Sequence, residues 1–335
     1  MGEPSRNNPQ RNETRVAVVG CGKMGLLHTS LLNTLPGVSI VALCEKSPRL
    51  TRFIRKMISK DTKVVNDVDD LSGLDLDVIY VTTPIPSHHA IVKNILEKDI
   101  TSNVFTEKTL GGDYTQSQQL RRLIEERKGV SMVGYHKRFG VTFGKAMKIL
   151  SSGEIGKVTS FEAFAYSSDF ASKPESSDSS LARGGVLRDL GCHAIDLALW
   201  YFGDLTLSNH NASSKTLSSD DVEFGVTTSD GVSGEIKASW RKPNFRMPVV
   251  GVNIIGTQGS VQVNDDKLAL KTNDGVAEEW YRASLEDNVD FLLGGPEYFR
   301  EDAYFISAIA RGSNSVSDFA SASKVDSIIE RAIQQ

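Results

Sequence analysis

Apolar and polar residues follow two different patterns along this chain, and the first pattern extends from residue 15 to about 133. Short runs rich in β-branched residues, such as RVAVVG, VSIVALC and DVIYVTT, are each followed by a stretch with helical spacing, such as KMGLLHTSLLNTL. TSNVFTE and then DYTQSQQLRRLIEERK continue the pattern. Strands that alternate with helices of this length are typical of a parallel sheet with helices on both faces. The sequence therefore predicts a doubly wound α/β domain over residues 15–134.

In the second pattern, which occupies residues 135–335, strand-like segments follow one another with turns between most of them. The segments are VTSFEAFAY, DVEFGVTT, SGEIKASW, VVGVNIIG and SVQVN, with turn signals such as SDG and TQG. Short turns between strands predict an open, mainly antiparallel sheet. Helical spacing adds helices at about 137–151, 184–202, 298–311 and 318–333. A C-terminal α+β domain is therefore expected.

Composition narrows the classes of function. The chain has 335 residues, 39% of them hydrophobic and 24% charged, which is typical of a globular protein. A formal net charge of −4 gives no reason to expect nucleic acid or an anionic membrane as a partner, and no apolar run approaches the length of a membrane span. Residues 1–14 are polar, lack the apolar core of a signal peptide and are expected to form a disordered tail. Three cysteines without metal-ligand or disulfide spacing favour a reducing cytoplasm.

The first strand–helix turn carries a glycine motif, VAVVGCGKMG, in the G-x-G-x-x-G spacing, and Glu45 follows the next strand. A strand, a glycine turn, a helix and then an acidic residue form the fingerprint of a dinucleotide site. The glycines admit the pyrophosphate, and Glu45 would accept hydrogen bonds from the ribose. Five residues of the motif are expected at the cofactor: Gly20, Gly22, Lys23, Met24 and Gly25. NAD is the expected cofactor because Glu45 would repel a 2′-phosphate; NADP is the alternative, since Lys46 and Arg49 follow closely.

Further motifs follow in order. TTPIPSHHA comes after the fourth strand, FTEKTLGGD after the fifth and VGYHKRFG after the sixth, and then come GEIGKV and GGVLRDLGCHAIDLALWYFG. With the glycine motif, this series resembles the Gfo/Idh/MocA family of oxidoreductases from about residue 15 to 333. The resemblance implies an N-terminal Rossmann domain, a C-terminal domain for substrate binding and oligomerisation, and a homodimer or homotetramer that forms through the open sheet.

The resemblance also assigns roles to residues after the fourth and fifth strands. The family's Thr-Pro-x-x-x-His pattern falls on Thr83, Pro84 and His88, near the cofactor. Its Glu-Lys-Pro motif begins at Glu107 and Lys108. Glu107 is expected to be a cofactor-side or a structural carboxylate and not a general base, and Lys108 inherits contact with both the nicotinamide and the substrate. For His88, contact with a ligand and an ordinary place at a helix start are equally compatible with the sequence.

Two further positions bear on the catalytic site. Thr109 stands where the family usually has proline, and a cis peptide bond before a residue other than proline is costly. This replacement therefore bears on the backbone beside Lys108. The family's Asp-x-x-x-His pair falls on Asp189 and His193, which face the substrate in the family.

The stretch GGVLRDLGCHAIDLALW (184–200) predicts a buried helix that carries this acid–base pair. At about 100° per residue, Asp189, His193, Asp196 and Trp200 fall on one narrow stripe. One alternative is a buried His–Asp pair without chemistry, and another is a metal site, although nothing supplies a third ligand at a known spacing. Asp196 is expected to be structural and to orient His193. Beside a dinucleotide site the stripe favours catalysis, and no metal is expected.

Together these features predict an NAD(P)-dependent dehydrogenase that acts on a hydroxyl or keto carbon of a sugar, an inositol-type polyol or a nucleotide sugar. His193 would take the hydroxyl proton, Lys108 would donate a hydrogen bond to the reacting oxygen, and Asp189 would bind a neighbouring hydroxyl and help set the proton state of His193. Two other functions stay open: a glycosidase of the same family that uses NAD transiently, and a nucleotide-sensing regulator without catalysis. The presence of all three catalytic residues argues against the regulator.

Overall fold

The chain folds into two units that are not continuous in sequence. The computed structural model describes residues 13–172, 183–208, 220–245, 247–285, 287, 289 and 295–334. The first unit combines residues up to 134 with residues 298–323, and the second combines residues 135–297 with those from 324 onwards. The chain therefore leaves the first unit after its sixth strand and later returns to it.

Six parallel strands form the sheet of the first unit. They are β1 (Thr14–Val19), β2 (Val38–Cys44), β3 (Lys63–Val65), β4 (Val78–Val81), β5 (Val104–Thr106) and β6 (Ser131–Val133). Their order in the sheet is β3-β2-β1-β4-β5-β6, and every neighbouring pair runs parallel. All residues of β4, β5 and β6 are buried, as expected for strands covered on both faces. The doubly wound parallel sheet is confirmed.

Side-chain caps determine where two helices of this unit begin. The helices are α1 (Lys23–Leu32), α2 (Pro48–Ile54), α3 (His88–Glu97) and α4 (Tyr114–Arg127). The Ser47 hydroxyl accepts a hydrogen bond from an N–H group in the first turn of α2, and the Asp113 carboxylate does the same for α4. Helix α1 differs because Gly22 precedes it and no side chain caps it. Its first N–H groups therefore remain available to a ligand.

Residues from the far end of the chain cover the edge of this sheet at β6. The N–H of Val133 donates to the carbonyl oxygen of Ser317 at 2.8 Å. In return, the hydroxyls of Ser315 and Ser317 donate to the carbonyl oxygens of Ser131 and Val133. An exposed strand edge invites pairing with other chains, and residues 315–319 take up those bonding groups within the molecule.

An eight-stranded sheet forms the second unit. Its strands are β7 (Val158–Tyr166), β8 (Leu205–Leu207), β9 (Asp221–Thr228), β10 (Ser233–Ser239), β11 (Val249–Gly256), β12 (Gly259–Asn264), β13 (Lys267–Thr272) and β14 (Ala277–Tyr281). The order is β14-β13-β12-β11-β7-β10-β9-β8, and only β7 and β10 pair in parallel. This confirms the mainly antiparallel sheet. The other α-helices in the described residues are α5 (Val141–Ser152), α6 (Cys192–Phe202), α7 (Pro296–Arg311) and α8 (Phe319–Ile333).

One face of the eight-stranded sheet is apolar and the other carries charged side chains. Along β7, Phe161 and Ala163 are buried whereas Glu162 between them is half-buried. Lys237 on β10 forms ion pairs with Glu162 at 2.6 Å and with Glu235 at 2.9 Å on the polar face. Helix α6 packs against β7, β10 and β11. This alternation is the period of two that half-covered strands show.

The helix expected at residues 184–202 is not regular. Leu187–Gly191 forms a π-helical turn, and α6 continues from Cys192. Each residue of a π turn advances by less than the 100° of an α-helix because its hydrogen bonds span five residues. A single helical period over this stretch is therefore wrong: His193, Asp196 and Trp200 of the expected stripe lie on the regular helix, whereas Asp189 lies in the π turn before it. Gly184 and Gly185 precede the turn with φ values of +80° and +82°, which glycine adopts readily.

Most of the expected N-terminal tail, residues 1–12, lies outside the described residues, and β1 already begins at Thr14. In the described part of the chain, none of the helices combines the length and the apolar character that crossing a membrane requires.

Candidate active site

The cofactor residues expected in the first unit lie where its strands end. Gly20 follows β1, Glu45 follows β2, Thr83 comes soon after β4, and Glu107 follows β5. Parallel strands end at the same edge of a sheet, and open α/β sheets bind their ligands at that edge. Four segments that are distant in sequence therefore come to the same edge of the sheet.

The glycine turn after β1 is closed on one side and open on the other. Gly20 has a φ of +91°, and a Cβ there would lie 2.5 Å from Cγ2 of Thr83. A Cβ on Gly25 would lie 1.9 Å from the carbonyl oxygen of Gly20. By contrast, a Cβ on Gly22 would meet nothing within 4 Å. The fold itself thus requires Gly20 and Gly25, whereas Gly22 borders open space.

The N-terminus of α1 is suited to an anion. Gly22 stands at its N-cap, and the first turn begins with an exposed Lys23 and a half-buried Met24. The uncapped N–H groups of a helix carry partial positive charge, and Lys23 adds a full charge nearby. Space, donors and charge therefore fit the pyrophosphate of a dinucleotide.

Glu45 joins the glycine turn to the start of α2. One carboxylate oxygen accepts a hydrogen bond from the backbone N–H of Cys21 at 2.8 Å, and the other accepts from the N–H of Ser47 at 2.7 Å. The side chain is half-buried, and a carboxylate has about four lone-pair sites. Glu45 is therefore held in one orientation and can still accept hydrogen bonds from the hydroxyls of a ribose.

His88 lies inside the protein at the start of α3. One of its ring nitrogens is 2.7 Å from the carbonyl oxygen of Thr83, and the other is 2.8 Å from that of Thr109. Burial lowers the pKa of His88 although both carbonyls oppose that shift. Pro84 is exposed between Thr83 and the helix. The structure thus shows His88 joining the loops after β4 and β5, and its contact with the cofactor stays a prediction.

The segment after β5 presents Lys108 between two buried neighbours. Lys108 is half-buried, while Glu107 and Thr109 are buried. The peptide bond between Lys108 and Thr109 is cis, although no proline is present. The Thr109 hydroxyl donates to the carbonyl oxygen of Gly111 at 3.1 Å. Thr109 therefore stands in the place of the family's proline with its side chain inside the loop.

Glu107 is held by a residue that sequence reasoning did not single out. Its Oε1 lies 3.1 Å from Nε2 of His28 on α1, and its Oε2 accepts a hydrogen bond from the backbone N–H of Lys108 at 3.3 Å. Burial would raise the pKa of Glu107, but the hydrogen bond and charge of His28 outweigh it and lower that pKa. Nδ1 of His28 in turn contacts Asp302 on α7. Glu107 is thus an ionised carboxylate in a buried network.

In the second unit, His193 lies on α6 among aromatic rings. It is 6% exposed, and its ring meets that of His136 edge to face at 4.9 Å between centroids. The ring of Tyr135 lies 6.3 Å away at a right angle. Tyr135 and His136 of the motif VGYHKRFG therefore border His193.

Asp189 belongs to the π turn that precedes α6. It is half-buried and lies 3.3 Å from a guanidinium nitrogen of Arg183. The same nitrogen is 3.0 Å from Asp169. Because π turns are frequent at functional sites, the irregularity at Asp189 agrees with its expected role.

The expectation that Asp196 orients His193 is corrected by the structure. Both carboxylate oxygens of Asp196 are bonded to the guanidinium of Arg138, at 2.6 and 2.9 Å. Both side chains are buried, and burial raises the pKa of Asp196 even though Arg138 opposes this shift. Asp196 therefore belongs to a structural ion pair one turn from His193.

His28 and Asp302 are the main residues that the sequence did not indicate. His28 follows Gly25 by three positions on the buried face of α1, so a histidine on an apolar helix face was the only available signal. Asp302 carried no signal, because nothing in the pattern shows that α7 returns to the first unit. Among the described residues, no three His, Cys, Asp or Glu side chains form a group that could hold a metal ion.

The strand order, the open glycine turn and the carboxylate after β2 define a dinucleotide-binding Rossmann protein. Residues 14–135 match the oxidoreductase family with an NAD-binding Rossmann fold, and residues 143–262 match the GFO/IDH/MocA C-terminal domain. The chain belongs to the Gfo/Idh/MocA family of NAD-binding oxidoreductases, as its motifs indicated.

Relatives of known activity cover most of the chain. Inositol 2-dehydrogenase of Rhizobium meliloti is 22% identical over 315 residues, which is 89% of each chain. D-apiose dehydrogenase of Paraburkholderia graminis is 23% identical over 77% of this chain and 70% of its own. A levoglucosan dehydrogenase solved with NADH and levoglucosan superposes with a TM-score of 0.80 at 20% identity over 96% of both chains. An NAD binding oxidoreductase from Klebsiella pneumoniae superposes with a TM-score of 0.83 at 17% identity over 96% of both chains. These two structures share the fold of this chain.

Proposed function

We propose that this chain is an NAD-dependent dehydrogenase that interconverts a hydroxyl and a keto carbon of a sugar, an inositol-type polyol or a nucleotide sugar. The observation that carries the proposal is the half-buried Lys108, which the buried Glu107 holds at the ligand-binding edge of a dinucleotide-binding sheet. Inositol 2-dehydrogenase and D-apiose dehydrogenase act, by their names, on a polyol and a sugar, which supports the substrate class.

The proposed oxidation removes a hydride and a proton from a carbinol. When bound, NAD⁺ supplies the acceptor for the hydride of the C–H bond. His193 accepts the hydroxyl proton, so that the C–O single bond becomes a carbonyl, and an imidazole can do this near neutrality. Lys108 donates a hydrogen bond to the same oxygen and stabilises the negative charge that it gains as the proton leaves.

The surroundings of Asp189 support a neutral polyhydroxylated substrate. Arg183 lies between Asp169 and Asp189, and its guanidinium is 5.2 Å from the ring centroid of Phe170 and 6.0 Å from that of Trp240. Because two carboxylates outweigh the single positive charge of Arg183, this cluster offers donors and acceptors to hydroxyl groups without a net attraction for anions. Aromatic faces beside a few polar groups are typical of small-molecule sites, and a sugar ring has matching polar edges and apolar faces.

The proposal is tested by NADH formation on a panel of neutral sugars, inositols and nucleotide sugars. At least one compound should reduce NAD⁺, and Lys108→Ala should lower turnover by about a hundredfold while NAD affinity changes little. Lys93→Ala, a lysine on α3 paired with Glu97, is the control and should turn over normally. Near-normal turnover of Lys108→Ala would contradict the assigned role. NADH binding without any reduction, or hydrolysis of a glycoside, would instead indicate the regulator or the glycosidase.

We extend the proposal to a homodimer or homotetramer that forms through the polar face of the eight-stranded sheet. Lys237 forms ion pairs with Glu162, Glu223 and Glu235 on this face, and such a partly exposed charge network is compatible with the polar rim of a subunit interface. Light scattering after size-exclusion chromatography should give a multiple of the chain mass. Lys237→Glu should shift that mass toward the monomer, and a monomeric wild-type protein would contradict this part.

A cytoplasmic location completes the proposal. Cys21, Cys44 and Cys192 are free and buried, and burial raises the pKa of Cys21 and of Cys44 to about 12. Thiols in this state are unreactive, and free cysteines without disulfides are the usual state in a reducing compartment.

A further inference from the structure

In the first unit, His28 lies near the proposed cofactor site and contacts two buried carboxylates. Its side chain is 0% exposed. Nδ1 lies 2.8 and 3.0 Å from the two carboxylate oxygens of Asp302, and Nε2 lies 3.1 Å from Oε1 of Glu107. These partners are 274 and 79 positions away in sequence. One imidazole thus connects α1, the loop after β5 and α7.

Both ring nitrogens of His28 face carboxylate oxygens, so both must carry a proton for the contacts to be favourable. A neutral imidazole has one N–H and one lone pair, and that lone pair would face a carboxylate. Burial alone would lower the pKa of His28, but the charges and hydrogen bonds of Asp302 and Glu107 raise it well above 6.5. The folded protein therefore holds an imidazolium between two carboxylates near neutral pH.

Aromatic rings complete the surroundings of His28. The rings of Tyr80 on β4 and Phe105 on β5 lie 5.7 and 5.0 Å from the imidazole, and that of Tyr298 on α7 lies 6.1 Å away. The two phenols are the titratable groups that face the imidazole besides its carboxylate partners, and Glu301 adds a further charge on α7 that acts on Tyr80. Burial raises the pKa of Tyr80 well above 10, so this phenol stays neutral.

Glu107 connects the imidazolium to the proposed catalytic lysine. Its Oε1 is bonded to His28, and its Oε2 accepts the hydrogen bond from the backbone N–H of Lys108. A carboxylate held at one oxygen has a fixed orientation, so the other oxygen can fix what it binds. The position of the Lys108 backbone therefore depends on His28 and, through it, on Asp302.

We infer that His28 and Asp302 are positioning residues, and that the hydrogen-bonded chain Asp302–His28–Glu107 holds Lys108 where its amine meets the reacting oxygen. This inference rests on the catalytic role proposed for Lys108. Because the side chains of His28 and Asp302 are fully buried, these two residues act through Lys108 and do not touch the ligands. A misplacement of a catalytic group by about 1 Å can cost on the order of a hundredfold in rate, so the loss of this chain should be visible in turnover.

A double-mutant cycle in the full-length protein tests the inference. Asp302→Asn keeps the shape and an acceptor for His28 but removes the charge. In the wild-type background it should lower kcat by about tenfold or more, with NAD affinity within about threefold of wild type. In the Lys108→Ala background it should cost less than about twofold, because the residue through which it acts is gone. Glu301→Gln, which changes the adjacent buried carboxylate on α7, is the matched control and should leave kcat within about twofold.

Two measurements on the protein without cofactor or substrate are independent of turnover. Imidazole ¹⁵N spectra should show His28 with both nitrogens protonated through neutral pH in the wild type, and Asp302→Asn should bring its titration down toward the ordinary range near 6.5. The rate at which acetic anhydride acylates Lys108, followed by peptide mass spectrometry, should change by about threefold or more in Asp302→Asn. It should stay at the wild-type value in Glu301→Gln.

The outcomes separate the inference from the proposed function. An equal loss of kcat from Asp302→Asn with and without Lys108 would overturn the positioning role and leave the function standing. A neutral His28 at pH 7, or an unchanged acylation rate, would overturn it as well. If Lys108→Ala alone kept normal turnover, the proposed function would fail first, and the inference that rests on it would fail with it.

Discussion

Glu45 shows how one side chain can serve the fold and select the cofactor. Backbone N–H groups of Cys21 and Ser47 hold both of its oxygens, so the carboxylate cannot turn away from a ligand without losing two hydrogen bonds. A 2′-phosphate in contact with it would meet a like charge, and such pairs repel by several kcal/mol at an effective dielectric near 20. We therefore expect NAD to bind at least about tenfold more tightly than NADP.

Titrations of both nucleotides check this expectation. Glu45→Gln keeps the shape of the side chain and should narrow the difference between the two affinities. Lys46 and Arg49 are exposed beside it and offer the opposite charge. Tighter binding of NADP to the wild type, lost in Lys46→Ala or Arg49→Ala, would show that these cations decide the choice.

Gly22 and Gly25 belong to one motif but should respond differently to the same change. A Cβ at Gly25 would sit 1.9 Å from a backbone oxygen, whereas one at Gly22 would meet nothing within 4 Å. Gly25→Ala should therefore lower the free energy of unfolding by roughly 1–3 kcal/mol or more through overpacking. Gly22→Ala should change it by about 1 kcal/mol at most but weaken NAD binding clearly, because the new methyl occupies the space proposed for the pyrophosphate. Denaturant unfolding and NADH titration of both variants give the comparison, and equal effects on stability would contradict it.

The site could be predicted from sequence only where a local pattern marks it. Gly20, Glu45 and Lys108 stand beside strand ends, and strand ends are visible as changes in apolar periodicity. The partner of Glu107 was not visible, because His28 and Asp302 come together only through the return of α7. Asp196 was rightly expected to be structural, but its partner was hidden for a related reason, since Arg138 lies 58 positions earlier in the sequence.

At the scale of elements, the π turn at Leu187–Gly191 is the clearest feature that the pattern of residues concealed. The residues around it are nearly all buried, so no polar face exists to reveal a change of period. The parallel pairing of β7 with β10 was equally hidden, because short turns indicate antiparallel neighbours along the chain but not which distant strand lies alongside. Strands of the parallel sheet were easier to recognise, since burial on both faces gives uninterrupted apolar runs.

Helix α6 carries two residues of different expected role one turn apart, the catalytic His193 and the structural Asp196. His193→Ala should reduce single-turnover hydride transfer by about a hundredfold or more, with a small change in the thermal midpoint. Asp196→Asn should do the reverse, because it removes the negative charge from the buried ion pair with Arg138, and breaking such a pair costs roughly 3–5 kcal/mol of stability. Thermal unfolding beside single-turnover kinetics gives both readouts. A His193→Ala protein that melts early yet transfers hydride at the wild-type rate would assign the helix a structural role alone.

At the scale of the whole molecule, the buried imidazolium makes stability depend on pH. The pKa of His28 is raised on folding, so its contribution is fully present below about 6.5 and is lost as the pH rises through the folded value. The pKa of Glu107 is lowered from 4.5, so its contribution is present above that value and is lost as the pH falls. Burial raises the pKa of Asp302, so the cost of ionising this buried carboxyl lowers the stability as the pH rises from 3.8 through the folded value.

We therefore expect the free energy of unfolding to fall as the pH rises into the alkaline range, and we assign this fall to His28. Above about pH 6.5 the folded protein holds one proton more than the unfolded chain, and this costs up to about 1.4 kcal/mol per pH unit until His28 deprotonates. In Asp302→Asn the decline should flatten at a lower pH, whereas Glu301→Gln should follow the wild type. Urea unfolding between pH 6 and 10 measures the slopes, and parallel curves for all three proteins would contradict the assignment.

The return of residues 315–319 to β6 also sets the order in which this protein can be completed during its synthesis. A ribosome releases the six parallel strands early, but the segment that closes their edge and the aspartate that balances His28 emerge only near the end of the chain. Until then the nascent first unit has an open strand edge and a buried charge without its second partner, and open edges invite aggregation. Residues 135–297, the larger part of the second unit, are made before the first unit can be completed. Nascent chains arrested before residue 315 should therefore be the form that most needs a chaperone.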